Sequence, residues 1–140
     1  MTRRVAGTVI IDGTDDETWP FSDEHGHLEQ GVDVILDEGQ PAGIIQVPHL
    51  RWGGECRVEV ELRAQVVQGN AVQVTGTAKL FEGTSEDTDD LEDTQQVNFT
   101  VPKGGTPARR QINLRNSGIG GGDHAEVYIT LTNSIYESPD

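Results

Sequence analysis

The sequence predicts an all-β protein, a single antiparallel β-sandwich of about seven or eight strands that takes up residues 1–140. Apolar and polar residues alternate along several stretches, Gly and Pro separate these stretches, and no window keeps a helical period. At 140 residues the chain is long enough for one such domain. Two domains would each be near the lower size limit for an independent core.

The clearest strand signal is the stretch Cys56–Val66, where apolar and mostly charged side chains alternate. This alternation is typical of an antiparallel strand with one buried face. The dipeptide Gly69-Asn70 is predicted to form a turn, and a second alternating stretch begins at Val72. Together they predict a long hairpin. Gly76 lies inside the second strand and indicates a bulge or a close approach of neighbouring backbone.

Shorter stretches of the same kind predict the other strands. They lie at residues 5–11, 32–36, 44–47, 97–101, 112–114 and 125–131. Residues 14–31 are mostly polar and are predicted to form a long loop with an apolar anchor at Trp19 and Phe21. Alternation does not determine strand order, so C2-like, jelly-roll and Greek-key connectivities are all compatible with it.

The charge of the chain excludes several function classes. The net charge is −14, and ten acidic residues lie between Val5 and Leu50 without a Lys or Arg. Nucleic-acid binding needs a basic surface, so we expect no nucleic-acid partner. No apolar stretch approaches the ~20 residues of a membrane span. We find no signal peptide behind Thr2-Arg3-Arg4, which makes the cytoplasm the default compartment.

The segment Glu82–Asp93 holds seven acidic residues and no base, and it is predicted to be a loop. Carboxylates this dense repel one another unless water or a hard cation separates them. Calcium takes six to eight oxygen ligands, and the Asp87-x-Asp89 spacing can point two carboxylates inward. The EF-hand pattern is not matched, because no Gly lies at its sixth position. The segment therefore predicts a calcium loop of the kind found at the ends of sandwich domains.

Two further loops are predicted at the same end of the sandwich. One follows the first strand at residues 12–17. The other, at residues 118–123, is Gly-rich and can turn backbone carbonyls toward a ligand. The candidate calcium ligands are Asp87, Asp89, Asp93, Asp15 and Asp123. The alternative is a solvated acidic surface adapted to high salt, with no metal site.

The only histidine pair with metal-ligand spacing is His25-Gly26-His27, which has acidic neighbours. Two imidazoles and a carboxylate can hold a transition metal, which predicts, as a further alternative, a metal-dependent enzyme. Exposed histidines of a loop explain the same pattern. No Gly-x-Ser-x-Gly motif supports hydrolase chemistry.

The single cysteine and the tryptophans complete the candidate residues. Because Cys56 is the one cysteine of the chain, an internal disulfide is excluded. Its position on the apolar side of the alternating stretch predicts a small core residue rather than a reactive thiol. Trp19, Phe21 and Trp52 either present rings to a carbohydrate or close the ends of the sandwich.

From these observations we expect a non-enzymatic binding or interaction module, with calcium as its candidate cofactor. The alternative is a structural or assembly protein that forms homo-oligomers through polar sheet faces such as that of Thr75 and Tyr128. The expected partner is a protein or a carbohydrate.

Overall fold

The structure is a computed structural model that describes residues 1–16, 22–116 and 122–137. These residues form nine strands in two sheets packed face to face, so the predicted all-β sandwich is confirmed. The strands are β1 (Arg3–Asp15), β2 (Glu24–Leu36), β3 (Gly43–Ile45), β4 (Leu50–Trp52), β5 (Cys56–Val66), β6 (Val72–Glu82), β7 (Leu91–Val101), β8 (Ala108–Arg115) and β9 (His124–Ile135).

Every strand pairing in the two sheets is antiparallel. Sheet A has the order β2-β1-β9-β8, and sheet B has the order β3-β5-β6-β7, with β4 also paired to β5. The chain crosses from sheet A to sheet B after β2 and returns after β7. Strands β1 and β9 therefore pair at the centre of sheet A.

The core lies between the inner faces of the two sheets, where the alternating apolar side chains meet. Representative fully buried side chains are Val9, Ile11, Leu62, Leu80, Leu114 and Ile129. Burial of one such side chain contributes about 1.5–3 kcal/mol relative to its exposure. Within the described residues no helix is long and apolar enough to cross a membrane.

Sheet A extends further than the sequence predicts. The long loop predicted for residues 14–31 is wrong for residues 14–15 and 24–31. Strand β1 extends to Asp15, and β2 begins at Glu24 and pairs with β1 along its whole length. This half of β2 is mostly exposed and polar, so backbone pairing rather than an apolar pattern identifies it as a strand. Trp19 and Phe21 lie outside the described residues.

Sheet B also differs in detail from the prediction. The acidic segment is a loop only at residues 83–90, since β7 already begins at Leu91. The short strand β4 was not predicted. A side chain at Gly76 would overlap the backbone carbonyl of Glu61 on β5. The predicted close approach at Gly76 is thus confirmed, whereas the bulge lies between Leu80 and Phe81.

Candidate functional site

Three strand ends meet at one end of the sandwich and bring Asp15, Cys56 and Asp123 together. We call these three residues the end cluster. All three side chains are buried, and their carboxylate oxygen and Sγ atoms lie within 4.8 Å of one another. In the part of the chain that the structure describes, this is the one group of three or more His, Cys, Asp or Glu side chains arranged so closely. The end cluster is therefore the candidate site.

The strand periodicity explains why these side chains point inward. Along β1, Ile11, Gly13 and Asp15 occupy successive inward positions, so Asp15 stands where the pattern calls for an apolar residue. Asp123 similarly precedes the inward Ala125 by two positions. An acidic residue in phase with the core is a signal present in the sequence, and Glu82 and Asp93 share it with these two residues.

Asp123 contacts the groups around it through both carboxylate oxygens. Its Oδ1 accepts a hydrogen bond from the backbone N–H of Asp16 at 2.8 Å, and its Oδ2 lies 3.9 Å from the Cys56 Sγ. Within the described residues Asp123 forms no ion pair with a Lys or Arg. A buried carboxylate that lacks a cationic partner is costly unless a proton or a metal ion compensates it.

Glu82, at the end of β6, is a neighbour of the end cluster. Its hydrogen bond with Asp123 raises the pKa of Glu82 to about 7, and burial adds to this increase. The side-chain amide of Asn116 donates a hydrogen bond to Glu82 and acts in the opposite direction. Near neutral pH, Glu82 therefore exchanges a proton while in contact with Asp123.

Cys56 is the neutral member of the end cluster. Burial raises the pKa of its thiol, and the negative charges of Asp123 and Asp15 raise that pKa further. The thiol therefore stays protonated at pH 7 and donates weakly to Asp123. The prediction that Cys56 is a buried strand residue is confirmed.

The turn between β4 and β5 closes one side of the end cluster. Gly53 has a positive φ of 66°, and a Cβ there would lie 2.5 Å from Asp15 Oδ2 and 3.1 Å from Glu24 Oε2. Glycine is needed because the backbone passes so close to these carboxylates. The neighbouring Trp52 is 4% exposed and packs against Gly13 and Gly26. Of the two interpretations of this tryptophan, closure of the sandwich end therefore applies, and not presentation of the ring to a carbohydrate.

The acidic loop at residues 83–90 is held by arginines of sheet B. Arg51 Nη1 pairs with Asp87 Oδ1 at 2.5 Å, and Arg57 Nη1 donates to the Glu86 carbonyl at 2.6 Å. Arg57 is itself buried, with its guanidinium 4.3 Å from the ring centroid of Phe81. These cations offset part of the negative charge of the loop. The sequence pattern had predicted this loop as the place for a metal ion.

The structure brings together two of the five predicted calcium ligands, Asp15 and Asp123. Asp87 and Asp89 are exposed in the acidic loop, and Asp93 lies on β7, where it accepts a hydrogen bond from the backbone N–H of Arg115 at 2.9 Å. In the described ranges none of these three belongs to a group of ligating side chains. Sequence reasoning missed Glu82 and Cys56 as neighbours of Asp123, because they come from strands far apart in the chain.

The histidine pair lies at the same end of sheet A as Asp15, but on the outer face of that sheet. His25 and His27 are exposed residues of β2, and both contact side chains of β1. They are strand residues rather than loop residues, and neither contributes to a group of three ligating side chains among the residues described.

Comparison of the chain with protein-family models, with curated proteins and with solved structures found no match. The functional interpretation therefore depends on the geometry of the end cluster.

Proposed function

We propose that this chain is a non-enzymatic binding module whose end cluster takes a divalent cation, calcium. One observation carries the proposal: Asp15 and Asp123, from separate strands, bury their carboxylates within 4.8 Å of one another. Two like charges in a poorly hydrated position raise the free energy of the folded state. A cation between them removes that repulsion.

The donor set favours a hard cation. Asp15 and Asp123 supply carboxylate oxygens, and Glu82 supplies another once its proton leaves. Calcium takes six to eight oxygens in flexible geometry, so backbone carbonyls and water complete its shell. Zinc prefers sulfur and nitrogen ligands, and it would need the Cys56 thiolate. The end cluster offers it one sulfur and no imidazole, which supports calcium over zinc.

A thermal melt with and without calcium tests the proposal. The protein is melted in chelator and again in millimolar calcium at matched ionic strength. Calcium bound with micromolar affinity stabilises the folded state by about 3–4 kcal/mol at ~1,000-fold excess over the dissociation constant. For a chain of this size Tm then rises by several degrees. An unchanged Tm overturns the proposal and leaves the acid as surface charge.

Two variants locate the site. Asp123→Asn removes a charge of the end cluster and is expected to abolish the calcium shift. Asp89→Asn removes an exposed charge of the acidic loop and is expected to preserve it, which makes it the matched control. If Asp89→Asn abolishes the shift and Asp123→Asn does not, calcium binds the acidic loop and the assignment to the end cluster is wrong.

A zinc titration distinguishes the two metal classes. We expect the calcium shift to survive in Cys56→Ala, because sulfur is a poor calcium ligand. A Tm that responds to zinc and not to calcium, and that loses the response in Cys56→Ala, would instead identify a thiolate site.

A further inference from the structure

The outer face of sheet A carries a pair of imidazoles that the end cluster does not use. His25 and His27 are two residues apart on β2, so both side chains project from the same face of the strand. On the neighbouring strand β1, Thr14 pairs with His25 and Asp12 pairs with His27. The side chain of His27 is 59% exposed, so this face is accessible to an ion from solvent.

Both imidazoles turn the same ring nitrogen toward β1. Nδ1 of His27 is hydrogen-bonded to Asp12 Oδ1, and Nδ1 of His25 lies 3.3 Å from Thr14 Oγ1. When Nδ1 carries the proton that Asp12 accepts, Nε2 of His27 keeps its lone pair. Histidines that ligate metals usually donate their other ring N–H to a carboxylate in this way, which determines the tautomer and holds the ring.

We propose that His25 and His27 together bind a divalent transition metal, with zinc or copper as the matching class, through their Nε2 atoms. Imidazole nitrogen suits these ions, and alternate residues of one strand are about 6.6–6.8 Å apart at Cα. Two side chains as long as histidine reach a common point across that spacing. Asp12 acts as a positioning residue through His27, and water completes the coordination shell.

This site is independent of the proposed calcium site. It lies outside the sandwich rather than at its buried end, and it uses nitrogen donors rather than carboxylate oxygens. The net charge of −14 attracts cations to the surface in general. The pair of imidazoles, and not the overall charge, determines the zinc affinity.

His124 provides a matched control on the same face of sheet A. It lies on β9, paired to Thr14, and its Nδ1 is 3.0 Å from Glu126 Oε1. It therefore has a carboxylate partner like that of His27, but position 126 holds a glutamate where a second imidazole would be needed.

Zinc titration by calorimetry tests the proposal with the full chain, in millimolar calcium so that oxygen sites are occupied by the harder ion. We expect one zinc per chain. His25→Ala and His27→Ala should each weaken zinc binding about tenfold or more, because one anchored ligand raises the effective concentration of the second. His124→Ala should leave the affinity unchanged. Equal affinity in all three variants, or an equal loss in all three, overturns the proposal.

Spectroscopy separates ligation from positioning. With Cu²⁺ as the probe, the electron paramagnetic resonance spectrum should show two nitrogen ligands in the parent chain and one in His25→Ala. Asp12→Asn should weaken zinc binding about tenfold. In this variant the ring ¹⁵N shifts of His27 should move away from the Nδ1–H tautomer. A copper spectrum with oxygen ligands alone rules out the imidazole site, whatever the outcome of the calcium melts.

Discussion

The two ends of the sandwich both bury charged side chains, but they compensate them differently. Strand β1 joins the two ends, since it begins at Arg3 and finishes at Asp15. Arg3 is 3% exposed, and its Nε donates to Asn133 Oδ1 at 2.8 Å. The Asn133 amide in turn donates to the carbonyls of Val101 and Asn70, at 3.1 and 2.8 Å.

The difference separates a structural network from a candidate binding site. At the Arg3 end, one positive charge is solvated by the dipoles of neutral amides and carbonyls that the fold itself supplies. At the Asp15 end, carboxylates are buried beside one another, and a proton or a cation from solution relieves their repulsion. We therefore assign binding to the Asp15 end and stability to the Arg3 end.

The largest change in the free energy of unfolding is expected for a substitution at the Arg3 end. Asn133→Ala removes the side-chain acceptor of Arg3 and the donor to the carbonyls of Val101 and Asn70, and it should destabilise the fold by about 3–5 kcal/mol. Urea denaturation measures this change. Asn113→Ala, an exposed position of β8, is the matched control and should stay within about 0.5 kcal/mol. A change at Asn133 as small as the control's would show that the network contributes no stability.

A smaller change in the free energy of unfolding, of opposite sign, is expected at the Asp15 end. In chelator, Asp123→Asn removes a buried negative charge but keeps an oxygen to accept the Asp16 N–H. It should stabilise the fold by about 1–2 kcal/mol, the order of one buried uncompensated polar group. Urea denaturation in chelator measures it, with Asp89→Asn as the surface control. Destabilisation by Asp123→Asn would mean that its carboxylate is already compensated, and the contrast between the two ends would fail.

A pH dependence is expected at the Asp15 end, where Glu82 contacts Asp123. The pKa of Glu82 is raised from 4.5 to about 7, so the folded state holds this proton more tightly than the unfolded chain. The group's contribution to stability is therefore fully present below pH 4.5 and declines as the pH rises through about 7.

Glu82→Gln should remove this part of the pH profile, whereas Asn133→Ala should keep it, because the Asn133 side chain carries no titratable group. Unfolding free energies between pH 4 and 8 in chelator test the prediction. Identical pH profiles for the parent chain and Glu82→Gln would contradict it.

The sequence by itself determined which side chains face the core. Period-two alternation predicted the sandwich, the β5–β6 hairpin and the buried Cys56, because inward and outward positions are a local property of a strand. The same phase marks Asp15 and Asp123 as inward. Alternation failed to predict a strand at residues 24–31 of β2. The side chains there are largely exposed, and the strand conformation depends on pairing with β1.

Only the tertiary structure decided which charges meet. Arg51 lies far from Asp87 in the chain, and Glu82 lies far from Asp123, yet each pair is in contact. Alternation specifies a face, but it carries no information about which strand ends adjoin or which sheet covers a loop. Those contacts depend on strand order and on the packing of the two sheets. The contact between Arg51 and Asp87 neutralises part of the charge of the acidic loop, and the buried end cluster is left as the candidate site.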